Sequence, residues 1–93
     1  WARAKGANFS RADLSWTRAY GAELRSAKFH HALMTSTQLT GVDARGADFS
    51  KAKLYEVDLT QANLKGARFD GAEMEDVNIR ASQNIPASFK GEK

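Results

Sequence analysis

Ala47-Asp48-Phe49-Ser50-Lys51-Ala52-Lys53-Leu54-Tyr55-Glu56-Val57-Asp58-Leu59-Thr60-Gln61-Ala62-Asn63-Leu64-Lys65-Gly66 is the stretch that decides the fold. A small residue (Ala47, Ala52, Val57, Ala62) recurs at every fifth place, and a large apolar one (Phe49, Leu54, Leu59, Leu64) follows each by two. All the charges fall between. An α-helix would smear this period around its whole circumference, because 3.6 residues per turn does not divide five. A plain strand would need alternation sustained over a longer run. A short alternating stretch followed by a turn, and then repeated, fits both facts.

The same frame extends outward to both ends. From Ala2 to Ala87 the small-residue place holds twelve Ala, three Val, two Thr and Ser82. Two residues later, fourteen of eighteen places are large and apolar; Ala4, Ala19, Ala44 and Asn84 are the exceptions. No charge enters either column before Glu92. Six of the seven glycines take the last place of a five, Gly6, Gly21, Gly41, Gly46, Gly66 and Gly71. Glycine is favoured at the positive φ of the third residue of a type II turn, so each five reads as one side and one corner.

Runs such as Ala7-Asn8-Phe9-Ser10-Arg11, Ala12-Asp13-Leu14, Ala47-Asp48-Phe49 and Ala62-Asn63-Leu64-Lys65-Gly66 resemble the pentapeptide-repeat family, whose motif is A(D/N)LXX. The resemblance covers the chain through about Gly91. It implies an all-β fold, a right-handed quadrilateral parallel β-helix with one five per side and four fives per coil. A second period supports four sides independently. Phe9, Phe29, Phe49, Phe69 and Phe89 recur every twenty residues, and Leu14, Met34, Leu54 and Met74 do the same. Ala19, Leu39, Leu59 and Ile79 form a third column, while Ala4, Leu24, Ala44 and Leu64 form the fourth. At a coil rise of about 4.8 Å, about four and a half coils predict a rod of roughly 20 Å.

Residues 1–81 read as one continuous β-helix, and 82–93 as irregular last repeats or a C-terminal cap and tail. Asn84 breaks the apolar column, and Pro86 falls where a corner should be. Either the helix continues past a kink, or Phe89 folds over the last coil. The chain opens at Trp1 already within the repeat, as a processed or excised piece of a longer protein would. Uncovered coil ends expose apolar surface and unpaired backbone, so coverage of the ends, including self-association through them, is expected.

The net charge of +3, from 14 Lys+Arg and 11 Asp+Glu, is too small an excess to imply nucleic-acid binding by itself. Without cysteine there are no disulfides or thiolate metal sites. No apolar run is long enough for a membrane span, so a soluble, cytoplasmic protein is expected.

With the inside filled, function is expected on the outer faces. Lys5, Arg25, Arg45 and Lys65 form a column of like charges, a candidate anion site facing nucleic acid, an acidic protein or a lipid headgroup. Their neighbours Glu23 and Asp43 offset part of the repulsion. Trp16, Tyr20, Leu33 and Tyr55 point outward on adjoining sides and are candidate protein-contact residues. Glu56, Glu73, Glu75 and Asp76 form an acidic patch towards the C-terminal end. The column Ser10, His30, Ser50, Asp70 holds the residue types of a nucleophilic triad, but Ser50 lies between the histidine and the carboxylate. His30 and His31 make a poor metal site. No catalytic residue, metal or cofactor is expected.

These readings favour a non-catalytic interaction scaffold that binds a protein partner through a flat face. The alternatives are an anion-binding module using the basic column and, as the resemblance implies, a topoisomerase-binding protein that imitates DNA. The basic composition weighs against the last.

Overall fold

A computed structural model gives the structure of residues 3–90. Ala2 and Glu92, assigned above to the small-residue column, lie outside the described residues. The chain winds as a right-handed, four-sided parallel β-helix whose coil is twenty residues long, as the bridges Arg3↔Glu23, Asn8↔Lys28 and Gln38↔Asp58 set directly. With principal extents of 29 × 25 × 22 Å, the molecule is a stubby square block, about as wide as the roughly 20 Å length expected for four and a half coils.

Backbone polarity is satisfied between coils. Typical bonds run from Ala4 N–H to the Glu23 carbonyl and from Lys28 N–H to the Ala7 carbonyl, both 2.8 Å. Inside, the small and large columns interdigitate. Ala27, Phe29, Met34, Phe49, Leu54, Leu59 and Leu64 are all fully buried. The rings of Phe29 and Phe49 stack at 4.8 Å and those of Phe49 and Phe69 at 5.0 Å, within 5° of parallel. That is the coil spacing itself, so the ring column and the backbone ladder share one pitch.

Every fifth residue from Gly6 to Ala81 has a positive φ, between 56° and 73°. At ten of these corners the residue is not glycine, so each carries some left-handed strain. Most corners close with a turn bond such as Ala7 N–H to the Ala4 carbonyl at 3.0 Å. In the corner column of Ser36, Glu56 and Asp76 that bond is absent among the described residues, and the strand runs one residue further. The three named strands lie here: β1 (Leu33–Thr35), β2 (Lys53–Tyr55) and β3 (Glu73–Glu75), paired in parallel in the order β1-β2-β3. This is the one corner column with no glycine.

The Asp or Asn of the motif has a local role. Its side chain accepts the N–H of the residue two places on: Asn8 from Ser10 at 2.9 Å, Asp13 from Ser15 at 3.0 Å, Asp48 from Ser50 at 2.9 Å and Asn78 from Arg80 at 2.9 Å. A donor that would otherwise face water at the corner is thereby held, as in an Asx turn. Leu33 cannot do this, and Ser15 Oγ of the coil above accepts the Thr35 N–H instead, at 3.2 Å.

Pro86 ends the regular winding. Proline cannot take the positive φ that the corner needs. The left-handed residue is Asn84, with φ 58°, two places early. Phe89 then meets Phe69 edge-on at 5.2 Å and 86°, where the preceding rings lie flat. Ser88 Oγ accepts the Phe69 N–H at 3.0 Å, in the place of the carbonyl a further coil would supply.

Candidate functional site

The four sides follow one another as alanine side (Ala4, Leu24, Ala44, Leu64), phenylalanine side, methionine side and isoleucine side. Side chains can leave the block from the middle of a side or from the two residues of a corner. The core fills the rest.

The candidate cations Lys5, Arg25, Arg45 and Lys65 are all exposed at the corner between the alanine and phenylalanine sides. Arg45 alone is paired: its Nε donates to Asp43 Oδ1 at 2.8 Å and its Nη2 to Oδ2 at 2.7 Å. The guanidinium holds the Asp43 carboxyl below its ordinary range, although partial burial opposes this. Among the described residues no ion pair joins Arg25 to Glu23, so the neutralisation expected for both arginines is realised at one.

The structure adds cations to this column. The phenylalanine side itself presents Lys28 and Arg68 at its centre, and its far corner presents Arg11, His31 and Lys51, all exposed. The sequence signal for them was available: columns adjacent across a corner have to be read together, not singly. His30 and His31 touch edge-to-face at 4.3 Å. Desolvation, followed by the charges of His30, Arg11 and Lys51, lowers the pKa of His31.

The candidate protein-contact residues separate into two places. Trp16, 75% exposed, and Tyr55, half-buried, lie on the corner between the methionine and isoleucine sides. Leu33 lies at the middle of the methionine side, two residues before that corner, and is 36% exposed. Tyr20 is 58% exposed but sits one side further on, at the next corner. Its hydroxyl donates to Gln38 Oε1. Gln38 lines an open groove with Trp16, Arg18, Ser36, Glu56 and Asp58, which follows the Trp16 corner along the isoleucine side. Arg18, Gln38 and Asp58 were not singled out from sequence, where they read as ordinary outward polar residues.

Acidic groups crowd the C-terminal half of the same corner. Tyr55 OH donates to Glu73 Oε1 at 2.7 Å, which together with desolvation raises the Tyr55 pKa. Ser36 Oγ donates to Glu56 Oε1 at 3.0 Å. The acidic and aromatic corner is therefore diagonally opposite the basic one. Among the described residues no group of three or more His, Asp or Glu is placed to hold a metal ion, and no helix is long and apolar enough to cross a membrane.

Comparison with known proteins gives the following. The family model for pentapeptide repeats matches eight copies over residues 7–43 and 45–80. No curated protein matches by sequence. Among solved structures, the pentapeptide-repeat protein Rfr23 of the cyanobacterium Cyanothece 51142 is 24% identical with a TM-score of 0.68, over 92% of this chain and 60% of its own. HetL of Nostoc sp. strain PCC 7120, described as involved in heterocyst differentiation regulation, is 27% identical with a TM-score of 0.48, over 87% of this chain and 50% of its own. A pentapeptide-repeat protein of the Arabidopsis thaliana thylakoid lumen is 31% identical with a TM-score of 0.45, over 87% and 60%. The chain thus spans half to three-fifths of the length of these proteins. With the repeat matched along most of its length, the chain belongs to the pentapeptide-repeat family.

Proposed function

We propose that the protein is a non-catalytic scaffold that docks a protein partner along the corner carrying Trp16. The observation that carries this reading is Trp16 itself. An indole that is 75% exposed stands on a backbone with φ 68°, a conformation disfavoured for a bulky side chain. Neither folding nor solubility gains from tryptophan there, and the groove beside it supplies polar partners in Arg18, Gln38 and Asp58. Leu33 widens the apolar area on the adjoining side. An exposed aromatic anchor next to polar groups is the usual make-up of a binding hot spot. The side chains that could act as nucleophiles lie on flat, open corners, which supports a binding role over a catalytic one.

The test uses a photo-crosslinking residue at position 36, beside Trp16, in the protein expressed in its native cell. A discrete crosslinked partner is expected, reduced at least tenfold by Trp16→Ser and by Leu33→Ser, and unchanged by Arg25→Gln. A partner retained in full by Trp16→Ser would rule this corner out.

A further inference from the structure

We infer that the phenylalanine side, with the basic corner preceding it, is a docking surface for an anionic lipid bilayer. The inference is independent of the Trp16 corner and rests on four observations.

The first is charge. Lys5, Arg25 and Lys65 stand exposed on one margin of the side, Lys28 and Arg68 at its centre, Arg11 and Lys51 on the other margin. Only Asp48 and Asp70 oppose them on that side. A cluster of four to eight Lys/Arg on one face is the electrostatic mark of an acidic-lipid site. The second is orientation. Glu56, Glu75 and Asp76 occupy the diagonally opposite corner, so a negative surface attracts one edge of the block and repels the other. The third is what the side lacks. Of the exposed large apolar residues, Trp16, Tyr20 and Leu33 lie on other sides and Ile85 lies at the C-terminal end. A protein partner is ordinarily held by an aromatic or apolar centre, and single-stranded nucleic acid by stacking platforms. Apart from the His30–His31 pair at its far corner, the regular coils of this side present charged and small polar side chains with no exposed apolar centre.

The fourth is shape. The bridges Asn8↔Lys28↔Asp48↔Arg68 run in register from coil to coil, with no inserted loop, so the side is flat. A flat face meets a cylindrical nucleic-acid duplex along a narrow strip, which leaves one margin of cations out of reach. A bilayer surface is flat on this scale and engages both margins together. The Arg45–Asp43 ion pair is the internal control, because its two charges already offset each other.

The experiment is co-sedimentation of the whole protein with vesicles of phosphatidylcholine, alone or with phosphatidylserine, at low and high salt. The expected result is binding only to the phosphatidylserine vesicles, lost at high salt as screening shortens the reach of the charges. Arg25→Gln and Lys65→Gln should each weaken it roughly fivefold. The double variant Asp43→Asn/Arg45→Gln, which removes the ion pair and leaves the net charge of the face unchanged, should change it less than about twofold. Trp16→Ser should bind vesicles like the wild type, which separates this surface from the protein-docking corner. Far-UV circular dichroism should confirm that the variants keep the fold. Equal binding to neutral vesicles, or Arg25→Gln binding as tightly as wild type, would overturn the inference. Retention on duplex DNA without sedimentation on phosphatidylserine vesicles would overturn it in favour of nucleic acid.

Discussion

Truncating Phe49 to alanine tests the ring column at its centre. Phe49 is fully buried, with Phe29 stacked above at 4.8 Å and Phe69 below at 5.0 Å. Removing the ring forfeits its transfer free energy and leaves a cavity between two rigid coils, about 3–5 kcal/mol for a buried phenylalanine. The flanking rings cannot close the gap, because their spacing is set by the backbone ladder, so the upper half of that range applies. A chain of 93 residues has on the order of 5–14 kcal/mol in total. Phe49→Ala should therefore remove roughly a quarter or more of the stability. Phe9 is only half-buried at the first described coils, and Phe9→Ala should cost about half as much. Phe49→Leu should recover most of the loss. Urea unfolding followed by far-UV circular dichroism gives all three values. If Phe49→Ala costs no more than Phe9→Ala, the rings do not form one cooperative column and the argument fails.

Corner strain gives a pair of opposite signs in one column: Gly41→Ala, at φ 72° with open space around it, should destabilise by about 1 kcal/mol. Gln61→Gly, at φ 62°, should stabilise by a similar amount in the same urea assay. Acid should loosen the corners. Hydrogen bonds from Ser15 lower the Asp13 pKa and that from Arg45 lowers Asp43; burial raises Asp48 and Asp58, but bonds from Ser50 and Thr60 leave both below the usual value. Depressed carboxyls stabilise the folded state above their unfolded value of 3.8, so the melting temperature should hold steady at neutral pH and fall as pH drops through and below that value. A melting temperature unchanged down to pH 2 would contradict the Asx assignment. Proton NMR should find His31 titrating below 6.5, and Lys51→Gln should move it upward by removing one of the nearby charges.

The periods of five and twenty were legible because the interior admits only two kinds of residue, and because a ring column must repeat at the coil pitch. The open corner at Ser36, Glu56 and Asp76 was signalled only by its lack of glycine, and the absence of a residue that merely permits positive φ is a weak cue when seven other corners manage without it. The ion pair of Arg45 with Asp43 could be anticipated as one of two equivalent pairs, yet Arg25 and Glu23 do not form it. Long exposed side chains choose among near-equal rotamers, and sequence spacing does not decide between them. The apolar candidates could be assigned to adjoining sides from the twenty-residue period, but how far apart those sides hold them is set by the width of the block. Folding the chain around a square block sends Tyr20 to a different corner from Trp16 and Tyr55.

This geometry also explains why departures from the repeat carry information. The two inward columns are committed to the core, the second place of a five, where it holds Asp or Asn, to capping a corner donor, and the last place of each five to a positive φ. Selection for folding alone would fill the corners with small or flexible polar residues, as Ser26, Ser36, Gly41 and Gln61 do. Trp16 breaks that expectation at a strained corner, and Leu33 breaks it at a capping place, where Ser15 has to accept the orphaned Thr35 N–H. Trp16 lines the groove and Leu33 lies on the adjoining side, and both departures cost something the fold does not recover. The run of cations on the phenylalanine side also costs repulsion, and among the described residues an ion pair relieves it at Arg45. Two unrelated departures from the folding optimum, on diagonally opposed edges of one rigid block, support the two proposed contacts, a protein partner at one edge and an anionic surface at the other.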